Sequence, residues 1–165
     1  MAAGPTYDSI ATTTLGSAAA DITFSSISGY TDLVLIVNGT PQTAGSYNLE
    51  MRFNGDTGSN YSRTVLSGDG SAASSSRNST QTKIVITNEG NLTTTSNNQI
   101  IKFLNYSNNT TYKTVLARGN RANAGVDATA GLWRSTSAIT SIVIFLTGSN
   151  LATGTTATLY GITKA

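Results

Sequence analysis

Residues 48–60 read N-L-E-M-R-F-N-G-D-T-G-S-N, and the change of pattern inside them decides the fold class. Leu49, Met51 and Phe53 alternate with Asn48, Glu50 and Arg52. That period of two predicts a strand with one buried and one wet face. At Asn54 the alternation stops and turn chemistry begins: Asn54-Gly55-Asp56, then Gly58, then Asn60. Asn and Gly tolerate positive φ, so Asn54-Gly55 predicts a tight hairpin turn. A half-buried strand breaking into a Gly/Asn/Asp loop recurs along the chain and predicts a small antiparallel β domain with outward loops.

Working outward, strands are expected at 7–15, 20–27, 32–37, 48–53, 61–66, 83–87, 99–106, 112–118, 126–134, 138–146 and 155–163. Residues 32–37 are apolar on both faces, as a central strand requires. Residues 138–146 form the strongest core strand. The last strand runs nearly to the end of the sequence and is expected to be zipped into a sheet. Residues 48–53 and 61–66 are candidates for a hairpin, and 99–106 with 112–118 form a clearer one across Asn108-Asn109. Residues 67–80 are Ser-rich and are expected to be a surface loop, and 1–6 a flexible N-terminal arm. No amphipathic helix is evident. Short strands at this spacing predict one all-β domain over 1–165, an antiparallel β-sandwich, jelly-roll-like, with long Gly/Ser/Asn loops.

Composition narrows the chemistry. The 165 residues suit one domain with a core. Charged residues are 11%, and the missing share has gone to Ser, Thr, Asn and Gly, the residues of strands and turns. A net charge of +2 gives no basic footprint for nucleic acid. No apolar run is long enough to span a bilayer. The N-terminus lacks the basic and apolar regions of a signal peptide. The chain has no Cys and no His, which removes disulfides, thiolates and the commonest general base. Only Glu50 and Glu89 are glutamates.

Candidate sites are few. Asn54, Asp56 and Asn60 place oxygens at spaced positions, faintly like a calcium loop. The acidic density and bidentate Glu of such a loop are missing, and Asn and Asp bonding their own backbone explain the pattern. Glu50, Asp56 and Asp69 could pair carboxylates for glycoside hydrolysis, but no aromatic groove accompanies them. Trp133-Arg134 reads either as an interface anchor or as a core Trp beside a surface Arg. Tyr30, Tyr61, Tyr106, Tyr112 and Tyr160 read as a sugar patch or as sheet-edge caps. The expectation is no catalytic residue, no cofactor and no metal, with Trp133, Arg134, Asn54, Asp56 and Asn60 as partner contacts.

Five segments together carry a resemblance. They are 20–37 (A-D-I-T-F-S-S-I-S-G-Y-T-D-L-V-L-I-V), 51–61 (M-R-F-N-G-D-T-G-S-N-Y), 112–118 (Y-K-T-V-L-A-R), 131–144 (G-L-W-R-S-T-S-A-I-T-S-I-V-I) and 155–162 (T-T-A-T-L-Y-G-I). In order and in set, they resemble a family of virion structural proteins from tailed bacteriophages, labelled tail-fibre or capsid-decoration proteins. The resemblance implies a β-sandwich, often a jelly roll, commonly trimeric, and brings no catalytic residues. It leaves head and tail open. These residues contain no coiled-coil or collagen-like shaft, so the expectation is a capsid decoration or cement protein on the outer lattice. Its partners would then be the major capsid protein, other virion proteins and its own copies. A tail-fibre or head-fibre adhesin binding host glycans is the alternative.

Overall fold

In a computed structural model, described over residues 6–95, 97–121 and 123–163, the chain is all-β. In chain order the strands are β1 (Tyr7–Thr14), β2 (Asp21–Phe24), β3 (Asp32–Gly39), β4 (Leu49–Phe53), β5 (Tyr61–Gly68) and β6 (Ala73–Gln81). They continue with β7 (Ile84–Val85), β8 (Asn97–Leu104), β9 (Lys113–Arg121), β10 (Gly125–Trp133), β11 (Ile142–Leu146) and β12 (Thr156–Ile162). They form two antiparallel sheets packed as a β-sandwich. One runs β1-β12-β3-β8-β9-β10-β5-β6 and the other β2-β11-β4-β7.

Alternation along each strand builds the core. From the small sheet, Ile22, Phe24, Leu49, Met51, Phe53, Ile142 and Ile144 point inward and are buried. From the large sheet they meet Leu33, Leu35, Val37, Ile101, Phe103, Val115 and Leu159. The apolar run at 32–37 becomes β3, paired on both edges by β12 and β8. The closing strand β12 is zipped between β1 and β3. The hairpin expected across Asn108-Asn109 forms as β8–β9.

The hairpin expected between 48–53 and 61–66 does not form. Both edges of β4 are already taken, by β11 and β7, while β5 pairs with β10 and β6 in the other sheet. Asn54 and Gly55 do adopt positive φ, 51° and 69°. Their turn, however, starts a crossing between sheets that stand about 10 Å apart. The sequence shows where a strand breaks, not which sheet the next strand joins.

The Ser-rich segment is a second correction. Only its beginning, after Gly68, is a turn; Ala73–Gln81 is a nine-residue edge strand, exposed along nearly its whole length. It pairs with β5 through the backbone. A strand wet on both faces has no hydrophobic period, so its pattern looks like a loop. Residues 83–87 shrink to the two-residue β7. Of the expected N-terminal arm, residues 1–5 lie outside the described residues, and the Thr6 carbonyl accepts a bond from Thr163 N.

Phe53 sits where the aromatic core is densest. Its ring centroid lies 5.5 Å from that of Trp133, 5.7 Å from Phe103 and 6.2 Å from Tyr61. Replacing Phe53 by Ala should lower the unfolding free energy by about 3–5 kcal/mol in urea denaturation, because the fully buried ring leaves a cavity its rigid neighbours cannot fill.

Candidate functional site

The five residues expected as partner contacts come together at one rim. Trp133 ends β10, only 3% exposed and stacked on Tyr61 with an interplanar angle of 15°. Its indole Nε1 donates to Asp56 Oδ2 at 2.6 Å. Asn60 Nδ2 donates to the same oxygen at 3.0 Å, and Gly58 N to Oδ1 at 2.7 Å. Arg134 donates from its guanidinium to Ser59 O and from its backbone N to Asn60 O. Asn54 bridges to the opposite side: its Oδ1 accepts from Thr140 N and Ser141 N, and its Nδ2 donates to Ala138 O. Of the two readings of Trp133, the structure shows the core one.

This rim is chemically self-contained. Tyr61 Oη donates to Asp56 O at 3.1 Å and accepts from Phe53 N at 3.1 Å. Burial pushes the Tyr61 phenol up to about 12, so it stays neutral. At Asp56, burial raises the pKa, but the bonds from Trp133, Asn60 and Gly58 together outweigh it and hold the carboxyl below its ordinary value. Each side-chain oxygen of Asp56 and Asn54 already has a partner within the chain.

The other carboxylates stand apart. Glu50, expected on the wet face of its strand, is 5% exposed. It pairs with Lys83 Nζ at 2.7 Å and accepts from the Thr147 hydroxyl, so a buried charge is satisfied locally. Asp69 is exposed and binds the backbone N of Ser71 and Ala72. Glu50, Asp56 and Asp69 thus each have a separate set of partners. Among the described residues, no three His, Cys, Asp or Glu side chains gather as metal ligands. The tyrosines do not converge either: Tyr61 and Tyr106 are buried in the core, while Tyr112 is exposed.

Sequence reasoning missed the carboxylate of Asp127, which is 4% exposed on β10. Its Oδ1 accepts from Ser67 Oγ at 2.7 Å and Glu89 N at 3.0 Å; its Oδ2 accepts from Asn88 N at 2.6 Å and Gly90 N at 2.7 Å. Three successive backbone amides thus clasp one carboxylate and pull the 88–90 loop onto the large sheet. Gly90 is obligatory there, because a Cβ would stand 2.9 Å from the Gly119 carbonyl carbon. The signal was available: on β10 Asp127 shares its parity with Thr129, Gly131 and Trp133, the inward set. Lys113 is likewise inward on β9, its Nζ bonded to Thr111 O and Thr136 O, and burial lowers its pKa.

The remaining feature is a surface. The outer face of the large sheet exposes apolar side chains, among them Leu66 at 61%, Val126 at 57% and Leu116 at 44%. Between β8 and the β5–β6 hairpin this face forms an open trough of about 740 Å³. No protein-family model matches the chain, and comparison with curated proteins finds no match.

Two consequences concern the rim and the clasp. Asp56→Ala should cost about 1–3 kcal/mol by leaving the Trp133 indole N–H without its charged acceptor. Because the folded carboxyl titrates below 3.8, its contribution is complete above that pH and is lost as the pH falls through the folded value. Urea unfolding of the variant should therefore show a smaller loss of stability on going below pH 4 than the parent protein shows. Asp127→Asn, which in either orientation turns an amide N–H₂ toward two donors that the carboxylate accepted from, should destabilise by roughly 3 kcal/mol and raise amide exchange at 88–90.

Proposed function

We propose that this chain is a non-enzymatic bacteriophage virion protein, a capsid decoration or cement protein that seats on the outer lattice and stabilises it. The observation that carries the reading is the strand order. Without the β5–β6 and β9–β10 hairpins, the sheets run β1-β12-β3-β8 and β2-β11-β4-β7. Each strand from β1 to β4 lies in the sheet opposite its predecessor, and β7 to β8 and β11 to β12 cross likewise. This alternation supports reading the sandwich as a jelly roll, an architecture of viral capsid and lectin domains. The resemblance of 51–61 and 131–144 to tailed-phage structural proteins points the same way.

The two roles within that family call for different surfaces. A glycan adhesin needs exposed aromatic platforms and free polar loops. Here Tyr61 and Tyr106 are core residues, and the oxygens of Asn54 and Asp56 bond within the chain. A lattice protein needs a broad face that buries apolar area at each contact. The outer face of the large sheet supplies one, which supports decoration over adhesion. Its partners would be the major capsid protein and its own copies, with a trimer favoured. The mechanism is mechanical: many modest contacts repeated by symmetry add up to firm attachment that resists internal pressure.

Electron microscopy of particles made with and without this chain tests the proposal. The expected difference is density on the capsid lattice at symmetry-related positions. Density lost from the tail instead would contradict it. Sedimentation of the purified protein should give a trimer.

A further inference from the structure

We infer that the trough on the outer face of the large sheet is a docking site for an extended segment of another protein chain, one that presents apolar and acidic side chains on the same face. The inference names the contact surface and partner chemistry for the proposed function. It rests on that reading only for the partner's being a virion protein.

The register places the residues. Ile100 on β8 faces Arg118 on β9, which faces Ala128 on β10, which faces Leu66 on β5. The neighbouring row runs Lys102, Leu116, Ala130, Thr64 and Arg77. The first row is thus apolar around Arg118, and the second sets Lys102 and Arg77 on either side of Leu116, Ala130 and Thr64. Leu66, Ile100, Val126 and Ala128 line the trough with Arg118. An apolar surface this continuous marks an interaction site.

Charge selects the occupant. Among the described residues the one ion pair is Lys83–Glu50, so Arg118, Lys102 and Arg77 have no acidic partner among those residues. The single carboxylate that borders the trough is Asp127, and both its oxygens are bound inward by Ser67 and by the 88–90 amides. The trough itself is therefore apolar and positive; the exposed Asp69, in the hollow beside it, is held by the backbone N of Ser71 and Ala72. A second copy docked face to face would set these cations against their own likes. A partner with carboxylates spaced among apolar side chains would satisfy both properties. An extended chain presents every second side chain to one face about 6.6 Å apart, a spacing that suits a sheet-floored trough. Steering by unpaired charge would make association fast and salt-sensitive.

The test uses the full-length protein and two synthetic peptides. One is Leu-Ser-Asp-Ser-Leu-Ser-Asp-Ser-Leu; the other has Lys in place of each Asp. Titration is followed by amide chemical shifts. The acidic peptide should produce saturable shifts confined to residues around 66, 100, 118 and 126–128, weakening as salt rises, and the basic peptide should bind roughly tenfold more weakly or not at all. Arg118→Glu, at an exposed position, should abolish acidic binding while leaving shifts elsewhere unchanged. Should that variant unfold, Arg118→Gln carries the same expectation in weaker form. Equal binding of both peptides, no saturable binding, or self-association through this face would each overturn the inference. Failure here would leave a lattice position in the microscopy intact, and tail density there would leave a docking site for an acidic segment intact.

Discussion

The hydrogen bond from Trp133 Nε1 to the Asp56 carboxylate, 2.6 Å long, fixes the corner where the chain leaves the small sheet for the large one. Much else depends on that corner. Phe53 ends the last small-sheet strand before the crossing, and Tyr61 begins the first large-sheet strand after it. Trp133 lies against both rings, so indole, phenol and benzyl groups form one cluster spanning the sandwich. The carboxylate is the only charged member, and three donors hold it. With the corner fixed, β5 enters the large sheet in the register that sets Leu66 on the outside and Val65 inside.

The sandwich is asymmetric, and the asymmetry leaves the two faces of the large sheet covered differently. Four strands cover one side, whereas eight form the other. The surplus strands β9, β10 and β5 still need cover on their inner face. They obtain it from β7, from the 88–90 loop clasped by Asp127, and from Arg63, whose guanidinium bonds the carbonyls of Val85 and Thr87. Polar clasps thus replace a strand where the small sheet runs out. The outer face of the same strands receives no such cover. The wide sheet is thus closed on one side by buried hydrogen bonds and left apolar on the other, the face on which the proposed contact rests.

Much of the fold was legible from residue pattern. Leu49, Met51 and Phe53 announced an inner wall, the run at 32–37 a central strand, and Asn54-Gly55 a positive-φ turn. Three things escaped. The Ser-rich edge strand β6 has no buried face, so no period betrays it. The crossing after Asn54 depends on which strand edges are already occupied, a tertiary fact. Glu50 alternates onto the outward side yet is buried, because Lys83 and Thr147, distant in sequence, fold over it. At the candidate site, the residues of the 54–60 rim were recognisable as a group with Trp133 and Arg134. Their partners were not, since bonds between residues 77 apart leave no local trace. The outer apolar face was partly visible in strands that alternate imperfectly, such as 99–106.

The chain has no native cysteine, which allows single thiols to report which surface is covered on a particle. Val126→Cys places one on the outer face of the large sheet, and Thr23→Cys places one on the exposed side of β2 in the small sheet. Maleimide labelling rates, compared between free protein and intact particles, test the central claim most directly. The expected result is at least about a tenfold slower reaction at position 126 on the particle, with position 23 unchanged, as burial of a formerly exposed thiol requires. Protection at position 23 with position 126 still reactive would contradict it.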